Sequence, residues 1–263
     1  MADEIVKTAE DVLKALDQWR LPVDPFAIAR EEKILLAPGT YGEGFDARIE
    51  YFPSDRRFGI YYREMGRTPG RIRFSLGHEL GHFYLPEHRE RLFKGIMHNS
   101  ESDYRSRDPL EQQADKFSAN LLMPRDLFVE AVKNFRQSVC DIRDLKKLAE
   151  RLGTSITSTV IRYCDCDIEP AMAIFSEDGI VRWTYFSQDM KELGCWFVRF
   201  GTQIPTNSQT TKLLELLENG PTDEVVGHRI DPHVWFEWPR CKWLYEEAVQ
   251  LGNRVLTWLA VDD

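Results

Sequence analysis

Several absences bound the reading of this chain. It contains no run of about 18 apolar residues with which to cross a bilayer. Its first stretch, MADEIVKTAEDVLKALDQW, is acidic and amphipathic, where a secretory signal has a basic start and an apolar centre. A cytoplasmic protein with no membrane partner is therefore expected. Paired cysteine spacing is missing too: Cys140, Cys164, Cys166, Cys195 and Cys241 are odd in number and share no framework pattern, as reduced thiols do. Cys164 and Cys166 form a C-x-C, but no second cysteine pair or histidine pair accompanies it, so it is a poor metal site. Positive charge is in deficit, with a net charge of -9, which removes general affinity for nucleic acid while leaving room for a local basic patch. No internal repeat or low-complexity tract is present.

At 263 residues the chain exceeds the usual single domain, and its length suits two or three modest units as well as one large one. Residues 3 to 19 carry apolar side chains at helical spacing, and LPVDP ends that pattern, with Asp24 as an N-cap for a short helix to Arg30. KILLA, ARIEYF and RFGIYYR read as a small sheet. Helices are expected over 71 to 85, stopped by Pro86, and over 109 to 122, capped by Asp108, with a looser stretch between. A further helix, Arg125 to Phe135, precedes a helix, a Gly153 turn and another helix in DIRDLKKLAERLGTSITSTVIRYC, the layout of a helix-turn-helix. Beyond a boundary near residue 168, AMAIF, GIVRWTYF, CWFVRF, EVVGHRI and VWFEW look like strands, with a polar helix near 209 to 218 and a final amphipathic segment.

The chemistry concentrates in RFSLGHELGHFYLPEH, residues 73 to 88. Four residues of α-helix turn through about 400°, so His78 and His82 stack on one face at a separation a single tetrahedral ion bridges. Glu79 lies about 100° round from His78 and reaches an open coordination corner without being a ligand. The bland alternative is a surface helix with polar histidines. Two residues compete as third ligand. His88 has the spacing of the longer H-E-x-x-H-x-x-G-x-x-H pattern, but Leu85 stands at the turn glycine and Pro86 restricts it to extended backbone. Glu111 and Asp115 are one turn apart on the later helix, beside its stripe of Leu110, Ala114, Phe117 and Leu121. One carboxylate can ligate while the other accepts a histidine's remote N–H. Alone, these acids read as a solvated face favoured by the helix dipole; the upstream histidines reverse that preference.

Taken together, RFSLGHELGH followed by EQQADKFSANLLMP resembles the ImmA/IrrE family of zinc metallopeptidases. The N-terminal LPVDPFAIA and the two strands before the motif helix are similar to that family's layout, and the resemblance is specific over residues 20 to 125. It implies an α+β fold with a mainly helical, zincin-like (gluzincin-type) peptidase and a small sheet. It also implies Zn2+ held by His78, His82 and Glu111, Glu79 as catalytic acid/base, and Asp115 behind the ligands. The activity implied is zinc-dependent endopeptidase cleavage of a protein substrate, a helix-turn-helix transcriptional repressor, in a stress or mobile-element response. The order of a peptidase domain over 1–130, a helix-turn-helix-like segment over 131–168 and a mixed α/β domain over 169–263 is similar to members that carry a GAF-like sensory or regulatory domain. The sequence departs from the family wording at Gly77, where alanine is frequent, and at Ser118, where a small apolar residue is common; neither is a ligand.

A tetrahedral oxyanion needs a further donor, and Tyr84, His88, His98 and Tyr104 are the candidates, each otherwise a surface histidine or a packed tyrosine. Substrate is expected to add as a strand along RFGIYYR, whose Phe58, Ile60 and Tyr62 read more simply as sheet-packing residues. Two other functions compete. One is a transcriptional regulator binding DNA through residues 141 to 163, although its second helix offers only Ser, Thr and Arg for base contacts. The other is a zinc-binding regulator without peptidase turnover.

Overall fold

The computed structural model describes residues 2–42, 44–95, 100–101, 108–135 and 141–262. The chain divides into two compact units, Met1–Ala131 with Ala149–Ser155, and Val132–Leu148 with Ile156–Asp263. Among the described residues there are ten α-helices and two sheets, an α+β chain.

The first unit begins with α1 (Ala2–Ala15) and α2 (Pro25–Glu31), the latter capped by Asp24, whose side chain accepts from the Phe26 N–H. Three strands follow, β1 (Leu35–Gly39), β2 (Phe45–Phe52) and β3 (Arg57–Arg63), then α3 (Pro69–Tyr84), α4 (Pro86–Phe93), the two-residue β4 (Ser100–Glu101) and α5 (Pro109–Leu122). The strand order is β1-β3-β2-β4, with β3 parallel to β1 and antiparallel to β2. This corrects the expectation that RFGIYYR offers an edge to a peptide: β3 is paired on both sides, so its ladder groups are used. Phe58, Ile60 and Tyr62 are buried, Ile60 completely, and serve as core.

α3 lies across β2 and β3. Thr68 caps its start by accepting from the Arg71 N–H, with Pro69 in the first turn, and it ends at Leu85, which is extended (φ -72, ψ 123) ahead of Pro86. Asp46 on β2, 3% exposed, receives Arg71 Nε at 2.8 Å and Arg67 Nε at 2.5 Å, fixing the helix start to the sheet. Leu76, Leu80 and Phe83, one turn apart, enter the core shared with Ile49, Phe58 and Ile60. Burying each contributes roughly 1.5–3 kcal/mol. α3 thus stops ahead of Pro86 as expected, but the stretch beyond it, expected to be loose, opens with a second helix: α4 starts on that proline, because the first helical position has no use for a backbone N–H.

The opposite side of α3 meets α5, and small residues set how closely. A Cβ on Gly81 would lie 3.1 Å from Ala114 Cα, and one on Gly77 only 2.5 Å from Ser118 Oγ. As α3 advances four residues, its neighbour on α5 retreats four, so the helices are antiparallel. Ser118 is fully buried and donates to the Phe74 carbonyl at 2.8 Å. The two departures from the family wording are thus one contact: the serine hydroxyl fills the space that an alanine methyl at 77 would take. Gly77→Ala alone is expected to cost about 1–3 kcal/mol of overpacking, offset by up to about 1 kcal/mol of helix propensity. Gly77→Ala/Ser118→Ala should recover stability, as thermal unfolding of both variants will test. Equal melting of wild type and the single variant would show that the helix spacing relaxes freely.

α6 (Arg125–Phe135), α7 (Ile142–Leu152) and α8 (Ile156–Asp165) follow in chain order, with Gly153 at φ 66 in the turn between the last two. In the second unit α8 packs on β5 (Ala171–Glu177) and β6 (Ile180–Phe186), burying Thr159, Val160, Arg162, Tyr163 and Cys164. The chain continues through α9 (Gln188–Glu192), α10 (Gln209–Leu217), β7 (Val226–Ile230), β8 (Leu244–Leu251) and β9 (Arg254–Val261). The antiparallel sheet runs β6-β5-β9-β8-β7. CWFVRF forms no strand, and Phe197 and Phe200 are 63% exposed. VWFEW is likewise not a strand, since Asp231 caps a 3-10 turn over Pro232–Val234. Glu246 of β8 is buried but satisfied, accepting from Thr210 N–H, Thr210 hydroxyl and Trp235 indole at 3.0, 2.8 and 3.0 Å. Cys164, Cys166, Cys195 and Cys241 are buried; Cys140 lies outside the described residues. Burial pushes the Cys164 thiol up, which keeps it protonated and inert.

Candidate metal centre

On α3, the close approach of α5 turns the two histidines toward the first turn of the neighbouring helix. Asp108 caps that turn by accepting from the Leu110 N–H, and Pro109 leads Glu111 inward. His78 Nε2 and His82 Nε2 are 3.0 Å apart. Glu111 places Oε2 3.1 Å from the first and Oε1 3.6 Å from the second. Ligands around a tetrahedral ion with bonds of about 2.0–2.1 Å sit about 3.3 Å from one another, so this donor set suits such an ion in both spacing and chemistry. Among the described residues, His78, His82 and Glu111 are the cluster whose donor atoms converge in this way, all within 4.8 Å. Cys164 and Cys166 do not take part.

Asp115 Oδ1 accepts from His78 Nδ1 at 2.8 Å, which leaves Nε2 as the nitrogen that faces Glu111. Burial disfavours the His78 imidazolium, but hydrogen bonds to Asp115 and Glu111, with the charges of Glu79 and Asp115, outweigh it and hold the ring up to about 10. A metal ion arriving at this nitrogen displaces a proton. Glu79 is 1% exposed, and its Oε2 accepts from the Ile49 N–H of β2 at 2.9 Å. It therefore sits between the histidine pair and the sheet, outside the ligand triangle.

The remaining candidates divide. Tyr84 points elsewhere: its hydroxyl donates to Glu32 at 2.9 Å, and burial with that carboxylate pushes its ionisation far up. His88, on α4, is buried behind His82, Nδ1 to Nδ1 at 3.0 Å, on the ring edge away from Glu111. His98 and Tyr104 lie outside the described residues. Sequence reasoning missed Gln113, whose Oε1 lies 3.1 Å from His88 Nε2. Nothing in its spacing from the histidines signals that contact, because it depends on where α4 returns.

No helix among the described residues is long and apolar enough to cross a membrane. A comparison with curated proteins gives no match. Among solved structures, a Mycobacterium tuberculosis transcriptional regulator is similar over 98% of this chain and 76% of that one, with 12% identity and a TM-score of 0.63, a likeness of fold alone. The family model of the IrrE N-terminal-like domain, Peptidase M78, matches residues 40–163, a span that holds both histidines, Glu79 and Glu111. Over that span the chain is similar to the metallopeptidase domain of the ImmA/IrrE family.

Proposed function

We propose that the chain is a zinc-dependent endopeptidase that acts in the cytoplasm on a protein substrate, a helix-turn-helix transcriptional repressor, in a stress or mobile-element response. The observation that carries this reading is the His78, His82 and Glu111 triangle with Glu79 beside it. A bound zinc ion supplies Lewis-acid activation of water and of the scissile carbonyl. Glu79 takes the proton from the attacking water and later delivers it to the departing amine. Asp115 holds His78 in the tautomer that ligates.

In this reading residues 1–130 are the peptidase domain, 131–168 a helix-turn-helix-like segment, and 169–263 a GAF-like sensory or regulatory domain. Burial of Thr159 and Arg162 on α8 weighs against DNA reading by that helix, since those side chains are the ones a groove would need. The purified chain should cut the helix-turn-helix repressor encoded beside it when loaded with zinc, stop under chelation and resume when zinc is restored. A repressor left intact by the zinc-loaded chain removes it as the substrate, and cutting that persists under chelation removes the metal mechanism.

A further inference from the structure

We propose that His88 is a positioning residue for the metal ligand His82, and that Gln113 sets the direction of the hydrogen-bonded chain connecting them. This inference rests on the reading of His82 as a ligand. His82 is fully buried and His88 is 1% exposed, so neither ring borrows a hydrogen-bond partner from bulk water at low cost. Each neutral imidazole has one N–H and one bare nitrogen, and the contacts fix which is which.

The Gln113 Oε1 is an acceptor only, and it faces His88 Nε2 at 3.1 Å, so that nitrogen carries the proton. His88 Nδ1 is then bare and accepts from His82 Nδ1 at 3.0 Å. His82 has thereby used its one N–H, and its Nε2, 3.0 Å from His78 Nε2 and 3.6 Å from Glu111 Oε1, keeps a lone pair for an ion. The N–H of each of the two rings thus meets an acceptor. Turning the Gln113 amide over reverses the whole chain: an NH2 facing His88 makes His88 donate to His82, and the proton of His82 moves to Nε2, where it blocks coordination.

The two ligating histidines are consequently held by different means. Asp115, a carboxylate, orients His78 directly. A neutral imidazole orients His82, and a half-buried amide orients that imidazole. This explains how His88 can share the spacing of a third ligand and yet stand on the wrong side of His82 to be one.

The test measures zinc affinity by chelator competition, alongside the visible spectrum of the cobalt(II)-substituted chain and the thermal unfolding of the metal-free forms. His88→Phe and Gln113→Leu should each weaken zinc binding by about 10- to 100-fold and alter the cobalt spectrum. Gln113→Glu keeps an acceptor facing His88 and cannot present an NH2, so it should bind zinc at least as tightly as wild type. If His88→Phe fails to fold, the Gln113 pair decides alone, because that side chain is partly exposed. Wild-type affinity in Gln113→Leu, or equal losses in Gln113→Leu and Gln113→Glu, overturns the proposal. A wild-type chain that binds no zinc overturns instead the metal reading on which it rests.

Discussion

Glu79→Gln is expected to leave zinc bound at wild-type stoichiometry while cleavage of the substrate falls by about 10²- to 10⁴-fold in kcat/KM. Glutamine has the same shape, and its Oε1 can still accept from the Ile49 N–H that holds Glu79 at 2.9 Å. The buried contact between α3 and β2 therefore survives, and so does the fold. What the amide lacks is basicity: it cannot take a proton from water or return one to an amine. None of the three converging donor atoms belongs to Glu79, which is why metal content should not follow activity. Measuring both on one preparation separates this chain from a zinc-binding regulator without turnover. Undiminished cleavage by the variant would strip Glu79 of its assigned role, and loss of zinc would make it a ligand.

The parts of this site that were legible in the sequence are those governed by local periodicity. Stacking of His78 on His82 follows from the helical repeat alone, and the start of α5 from Asp108 and Pro109. Glu111 was legible only as one of two acids a turn apart, in company with the upstream motif. What places it against the histidines is the close crossing permitted by Gly77 and Gly81, and that depends on contacts with Ala114 and Ser118 distant in sequence. Pro86 misled because it has two meanings. It ends α3 and opens α4, and only the second brings His88 back to His82.

In the second unit the errors have the same origin. The β8–β9 hairpin was hidden because Glu246 and Glu247 interrupt its apolar pattern, yet both are buried. Glu246 is paid for by Thr210 and Trp235, and Glu247 accepts from the Ile142 N–H at 2.7 Å. CWFVRF has strong strand propensity and remains irregular; Trp196 meets Phe186 of β6 ring to ring, and only the residues just beyond the segment bond to that strand's backbone, through the bridge from Gln203 to Ile180 and through Gly201 and Thr202 to Val181. Strand propensity describes how a side chain suits a pleated, half-buried surface, and here no ladder is offered to it.

Glu111→Ala should strip zinc under conditions in which His88→Ala keeps it. An apparent site energy of about 10–16 kcal/mol spread over four ligands gives about 2.5–4 kcal/mol for one of them, or roughly two to three orders of magnitude in affinity. Loss of an orienting residue costs about 10- to 100-fold, so His88→Ala remains loaded when zinc is in modest excess. The geometry sets this order: Glu111 presents both oxygens to the ligating edges of His78 and His82, whereas His88 touches only the remote edge of His82. Metal content after dialysis against a weak chelator reads the difference directly. Glu111→Gln should resemble the alanine variant more than wild type, because the amide keeps the shape but loses the negative charge that the ion requires. Zinc retained by Glu111→Ala and lost from His88→Ala would return the third position to His88, and α4 would then have to rotate His88 past the ring it now supports.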